Sequence, residues 1–236
     1  MKSTLLLCAF ALVFACTIST LAQNRSDRFR LGSRTVRIPA PEGFTDVLLR
    51  FERVAGRLMA TEDPGNEPLA THFPVSVIPQ FEANQDHDLE FYTKVSISKR
   101  ARTTDLTPEA FWQIQSSVDR EIGALFGAEG TLRNRIEGNA GKGLSALWDN
   151  QTSVRIDLPL NLGVFDRGER VISSMVFLKY EVNAKKCSML ATMSFLSVNQ
   201  RLLFVYAYKT NWVKEDIEML RDFTKKWTAA IIAANM

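Results

Sequence analysis

The chain has 236 residues, 29 basic against 26 acidic, a formal net charge of +3, and 46% hydrophobic residues with four tryptophans. That length and apolar content describe one large packed domain and exclude an intrinsically disordered chain. The near-neutral balance, with no basic stripe along the sequence, argues against a nucleic-acid binder.

The first element is a leader. Lys2 supplies a positive charge, an apolar run extends from Leu5 to Ile18, and Ser19-Thr20-Leu21-Ala22 places small residues where a signal peptidase reads. The pattern predicts a signal peptide over residues 1–22, cut after Ala22, and hence a periplasmic or secreted protein. The run is short of the roughly 20 residues needed to span a bilayer. Val13-Phe14-Ala15-Cys16 loosely resembles a bacterial lipobox, so an alternative is a lipoprotein anchored at Cys16, the one route by which the sequence predicts membrane attachment. Cys8 and Cys16 lie in the leader, which leaves Cys187 alone and an internal disulfide impossible. Cys187 reads as a small apolar filler.

Residues 23–34 read as a flexible polar tail, and residues 35–236 as a single globular domain. Thr35 to Ile38 has strand character and stops at Pro39-Ala40-Pro41-Glu42-Gly43. Val47, Phe51, Val54 and Leu58 recur at helical spacing and predict a helix over 46–59, capped by Thr45. Leu69 to Ile78 reads as a strand with Pro74 marking an edge or bulge. Residues 80–88 read as loop. Phe91, Thr93, Val95 and Ile97 alternate with Tyr92, Lys94, Ser96 and Ser98, as in a half-buried strand.

Thr107-Pro108-Glu109 predicts a helix start, with Phe111, Ile114, Val118, Ile122 and Leu125 on its apolar face and Gly127 as the stop. Residues 128–150 give no clear pattern. Strands follow over 158–165, 171–182, 189–198 and 201–208, with turns at Asp166-Arg167-Gly168-Glu169 and Asn199-Gln200. Apolar residues on both faces of the last strand predict cover on both sides. A helix over 213–234, capped by Asn211, presents Ile217, Leu220, Thr224, Trp227 and Ile231, widened by Phe223 and Ala230.

The expected fold is α+β, a mainly antiparallel sheet covered by helices, in the order β-α-β-β-α-β-β-β-β-α. The strand ending in Ile38-Pro39, the turn Pro41-Glu42-Gly43-Phe44, the helix opening at Leu106-Thr107-Pro108 and the terminal helix after an antiparallel sheet resemble the PsbP-like fold family, over residues 35–235. That family includes photosynthetic members, a eukaryotic Ran-binding protein and bacterial periplasmic proteins. The resemblance implies a non-catalytic accessory or binding module and carries over no functional residue.

No catalytic, cofactor or metal motif stands out. His72 reads as a structural histidine. Asp86, His87 and Asp88, near Glu82 and Glu90, form a candidate polar site whose oxygen and nitrogen atoms suit a cation. Gly138-Asn139-Ala140-Gly141-Lys142-Gly143 fails the phosphate-loop spacing and lacks Ser or Thr after the lysine. Lys179, Lys185 and Lys186 read as a solvated hairpin edge. Tyr206, Tyr208 and Trp212 form an aromatic cluster that reads as core packing or as a ligand or partner surface. The sequence thus favours an exported binding or accessory protein, its partner an envelope protein or small ligand. An envelope enzyme of hydrolase type working through Asp86, Asp88 or Glu82, and a carrier of small apolar ligands, remain open as alternatives.

Overall fold

The computed structural model describes residues 27–48, 63–83, 89–125, 137–138, 141, 145, 153–157 and 159–236, without the side chains of residues 119–125. The leader, Cys16, the predicted helix beyond residue 48, Asp86-His87-Asp88 and most of the glycine-rich segment lie outside these residues.

Ten strands and three helices are present among the described residues. A hairpin of β1 (Arg28–Leu31) and β2 (Arg34–Arg37) stands by itself as a two-stranded sheet. The main sheet holds β3 (Phe44–Asp46), β4 (Asn66–Pro74), β5 (Phe91–Ser98), β6 (Val154–Ile156), β7 (Leu160–Gly168), β8 (Val171–Val182), β9 (Lys185–Val198) and β10 (Arg201–Thr210). Its spatial order is β3-β4-β5-β10-β9-β8-β6, with β7 also on β8, and every pairing is antiparallel. The helices are α1 (Ile78–Glu82), α2 (Pro108–Leu125) and α3 (Asp216–Ala233). This is an α+β fold.

The three long strands are rich in apolar residues and are joined by two-residue turns. Asn183-Ala184 and Asn199-Gln200 all take positive φ, the geometry that lets right-twisted strands reverse in two residues. Register then sorts the side chains. Leu190, Thr192, Ser194 and Leu196 of β9 oppose Lys209, Ala207, Val205 and Leu203 of β10 on one face. This face lies under α3, whose Leu220, Thr224, Trp227, Thr228 and Ile231 are buried. Leu31, Val36 and Ile38 from the first hairpin join the same core. It is called the helix face below.

On the opposite face, α2 sends Ile114 and Val118 against Ile172, Val176 and Ala191. Its start is as the sequence predicts: Thr107 Oγ1 accepts from Ala110 N at 3.2 Å. Gln115, absent from the predicted apolar face, fixes α2 to the β7–β8 hairpin by donating to Gly168 O and Val171 O.

Several expectations give way. Arg28–Leu31, read as part of a tail, is a strand because Leu31 and Phe29 pack into the core behind exposed arginines. Thr45 is no helix cap: it pairs with Phe73 in β3, and Asp46 pairs with His72. Pro74 ends β4, and the bulge sits between Pro68 and Ala70. Residues 78–82 form a helical turn, with Pro79 in its first turn. Strand β9 starts four residues earlier than the hydrophobic pattern suggests, so Cys187 lies inside it. Asn211 is not the cap of α3: it takes φ 49° and donates to Glu90, while Asp216 carries the Val213 N–H. Ala230 faces solvent.

Candidate binding surface

The face opposite α3 carries the feature with most chemical content. Strand alternation puts Tyr92, Lys94 and Ser96 of β5 on it, and register sets them against Tyr208, Tyr206 and Phe204 of β10. Tyr92 and Tyr208 stack with centroids 4.6 Å apart and planes inclined by 20°. Tyr206 and Tyr208 lie nearly parallel at 6.0 Å. Lys94 Nζ sits 5.0 Å from the centre of the Tyr206 ring, a cation–π contact. Phe195 of β9 meets Phe204 edge-on at 5.6 Å.

The next strand completes the patch. Thr71 of β4 opposes Lys94. Thr71 and Ser96 are both fully buried, and neither Thr71 Oγ1 nor Ser96 Oγ has a hydrogen-bond partner among the described residues. A buried hydroxyl without a partner costs about 1–3 kcal/mol. The two flank Lys94 in a polar strip. Apolar clusters bound this strip on both sides: Ile172, Val176 and Ala191 on one, Val47, Phe73 and Ile78 on the other. Burial, and then the neighbouring Tyr208, push the Tyr92 phenol far above its ordinary range, against the smaller opposing effect of Lys94. Tyr92 therefore remains a neutral hydrogen-bond donor. Stacked rings, an ammonium group and unpaired hydroxyls suit the holding of a ligand with a flat apolar face and polar edges.

The structure separates the predicted aromatic cluster. Tyr206 and Tyr208 share this face, whereas Trp212 lies on the helix-face side. There Trp212 packs edge-on to Phe177 at 5.1 Å and donates from Nε1 to Ser188 Oγ at 3.3 Å. The cause is backbone: alternation ends with β10, and the positive φ of Asn211 turns the chain towards α3. In place of Trp212, the patch gains Tyr92 and Lys94. The sequence places them on the polar face of their strand; the available signal is the matching Tyr-x-Tyr and Tyr-x-Lys alternation of two strands.

The remaining candidates resolve differently. His72 is buried on the helix face, its Nδ1 3.0 Å from Thr93 Oγ1 and its ring edge-on to Trp227 at 5.5 Å. Burial lowers its pKa to about 3, so it is neutral there. Asp86, His87 and Asp88 lie outside the described residues. Glu90, their neighbour, accepts from Lys209 Nζ at 3.3 Å. Among the described residues no three His, Cys, Asp or Glu side chains converge as a metal site. Cys187 is a free thiol. No helix among the described residues is long and apolar enough to cross a membrane.

No protein-family model matches the chain, and no curated protein matches it significantly.

Proposed function

We propose that this chain is an exported binding or accessory protein of the bacterial cell envelope, with a PsbP-like fold, that holds its ligand on the tyrosine face. The observation that carries the reading is the cross-strand register of Tyr92 with Tyr208 and Lys94 with Tyr206, beside the hydroxyls of Thr71 and Ser96, which have no hydrogen-bond partner among the described residues. Buried polar groups are normally satisfied, and those that are not call for an explanation. A bound ligand that accepts from or donates to both hydroxyls supplies one. The leader pattern supports export. The PsbP-like reading draws on the antiparallel β8-β9-β10 run followed by a helix laid across one face.

Native mass spectrometry of protein purified from its own envelope tests this, with wild type compared with Tyr206→Ala and Thr71→Val. A co-purifying molecule carried by wild type and lost from both folded variants is the expected result. Bare protein in all three samples sinks the proposal.

A further inference from the structure

The +3 net charge conceals a local concentration of basic residues that only the fold reveals. Arg28 and Arg30 project from the outer side of β1 and are exposed, as is Arg34 of β2. The segment after β5 folds against this hairpin. Its first turn, a 3-10 helix over Lys99–Ala101, presents Lys99 and Arg100 to solvent. Arg102 Nη2 then donates to Arg30 O at 3.2 Å. Gly32, in the hairpin turn at φ 63°, lies so close to Thr103 that a Cβ there would approach its side chain to 3.2 Å. The two basic segments are therefore one surface.

Its acids are already engaged. Asp27 pairs with Arg37 at 3.1 Å, and Glu67 with Arg102 at 2.8 Å. Asp105 pairs with both Arg34 and the buried Arg201. Asp63, at the border, accepts from Gly65 N. Arg28, Arg30, Lys99 and Arg100 have no acidic partner among the described residues.

This surface is rigid as well as basic. Arg201 is fully buried and donates to Leu31 O, Thr104 O, Gln200 O and Asp105, which ties the hairpin, the 99–105 segment and the β9–β10 turn together. Charges held on fixed backbone lose little entropy when a partner arrives.

We propose that this end of the molecule docks on an anionic lipid surface. Charge complementarity selects the partner class: four exposed cations without counter-charges among the described residues match the phosphate plane of an acidic bilayer. Chain continuity favours the lipid surface over an acidic protein. The hairpin is the described element nearest in sequence to Cys16, through residues 17–26, which reach about 36 Å at most. Lipid on Cys16, the one membrane attachment the sequence predicts, would bring this end of the fold to the bilayer first. The inference goes beyond the tyrosine-face reading and stands whether or not that face holds a ligand.

Co-sedimentation with phosphatidylcholine vesicles, with and without phosphatidylglycerol, tests it. The form cut after Ala22 is used, so that no lipid anchor contributes. Association with the acidic vesicles only is expected, and loss of it in high salt, where screening shortens to about 3 Å at 1 M. Each basic residue near an acidic surface strengthens binding by a factor of about five. The variant Arg28→Gln/Arg30→Gln/Lys99→Gln/Arg100→Gln is expected to bind at least about a hundredfold more weakly, with an unchanged melting temperature. Lys185→Gln/Lys186→Gln, at the far end of β9 about 40 Å away, is expected to bind as wild type does. Equal binding to neutral vesicles, or acidic-vesicle binding that survives the four substitutions, overturns the proposal. So does salt-sensitive association with an acidic protein and none with vesicles.

Discussion

The two faces of the sheet treat buried hydroxyls differently. Under α3, every hydroxyl of the central seam has a partner. Thr192 and Thr224 meet at 2.8 Å, Ser194 donates to Ser173 at 2.7 Å, and His72 meets Thr93. Trp227 adds its own indole hydrogen bond, to Pro39 O at 2.9 Å. The tyrosine face buries Thr71 and Ser96 with no partner for either hydroxyl among the described residues. Paired groups cost little and specify how the helix sits. Unpaired ones weaken the fold and are tolerated where something outside the described chain can use them. The contrast distinguishes the two faces, and mutation can break it.

The largest effect belongs to the helix face. Trp227 is 3% exposed and touches the sheet, the first hairpin and Phe223. Trp227→Ala is expected to cost about 3–5 kcal/mol, by loss of apolar contact and by the cavity it leaves. Denaturant melts read this directly; an unchanged midpoint would show that α3 does not hold the core.

Acid is the next probe. His72 has a folded pKa of about 3 against an ordinary value of 6.5. The unfolded chain therefore takes up the proton first. The stability tied to the neutral ring is complete above pH 6.5 and is lost as pH falls, by about 1.4 kcal/mol per unit at the steepest. Between pH 7 and pH 5 the expected loss is about 2 kcal/mol, and His72→Gln is expected to flatten that slope. Asp105 titrates lower. Its hydrogen bond from Arg201 holds its carboxyl below the usual range, so its contribution persists until the acid end and then disappears. A wild-type slope unchanged in His72→Gln would contradict this burial.

Much of this layout is legible in the residues, and the failures have causes. Thr107-Pro108 marks a helix start because capping and ring geometry are local. Asn199-Gln200 marks a turn because two strands of alternating apolar residues flank it. Trp227 and its neighbours report the buried side of α3 because a helix has a fixed period. What escapes is whatever depends on partners distant in sequence. Arg201 opens a strand, and only the fold shows it fully buried among carbonyls from three segments. Of the first hairpin, β2 is legible as the Thr35–Ile38 strand, whereas β1 escapes because it is four residues long and largely polar outside. Thr45 and Asp46 resemble a helix start because the apolar spacing that follows them is helical, yet their pairing with β4 prevails. Tyr206 and Tyr208 follow from alternation alone. Tyr92, Lys94, Thr71 and Ser96 join them only through the registers of β5 with β10 and β4.

A smaller effect separates the faces most cleanly, because one chemical change is made on each. Thr224→Val on the helix face keeps the shape but removes the partner of Thr192 Oγ1, leaving a buried hydroxyl unmatched. The expected cost is about 1–3 kcal/mol. Thr71→Val on the tyrosine face removes a hydroxyl that makes no hydrogen bond among the described residues. The same isosteric change there is expected to be neutral, or stabilising by up to about 1 kcal/mol. Opposite signs from a single type of substitution mark one face as built for stability and the other as holding polar groups in reserve. Should Thr71→Val cost as much as Thr224→Val, its hydroxyl is satisfied within the chain, and the tyrosine face is a second structural core.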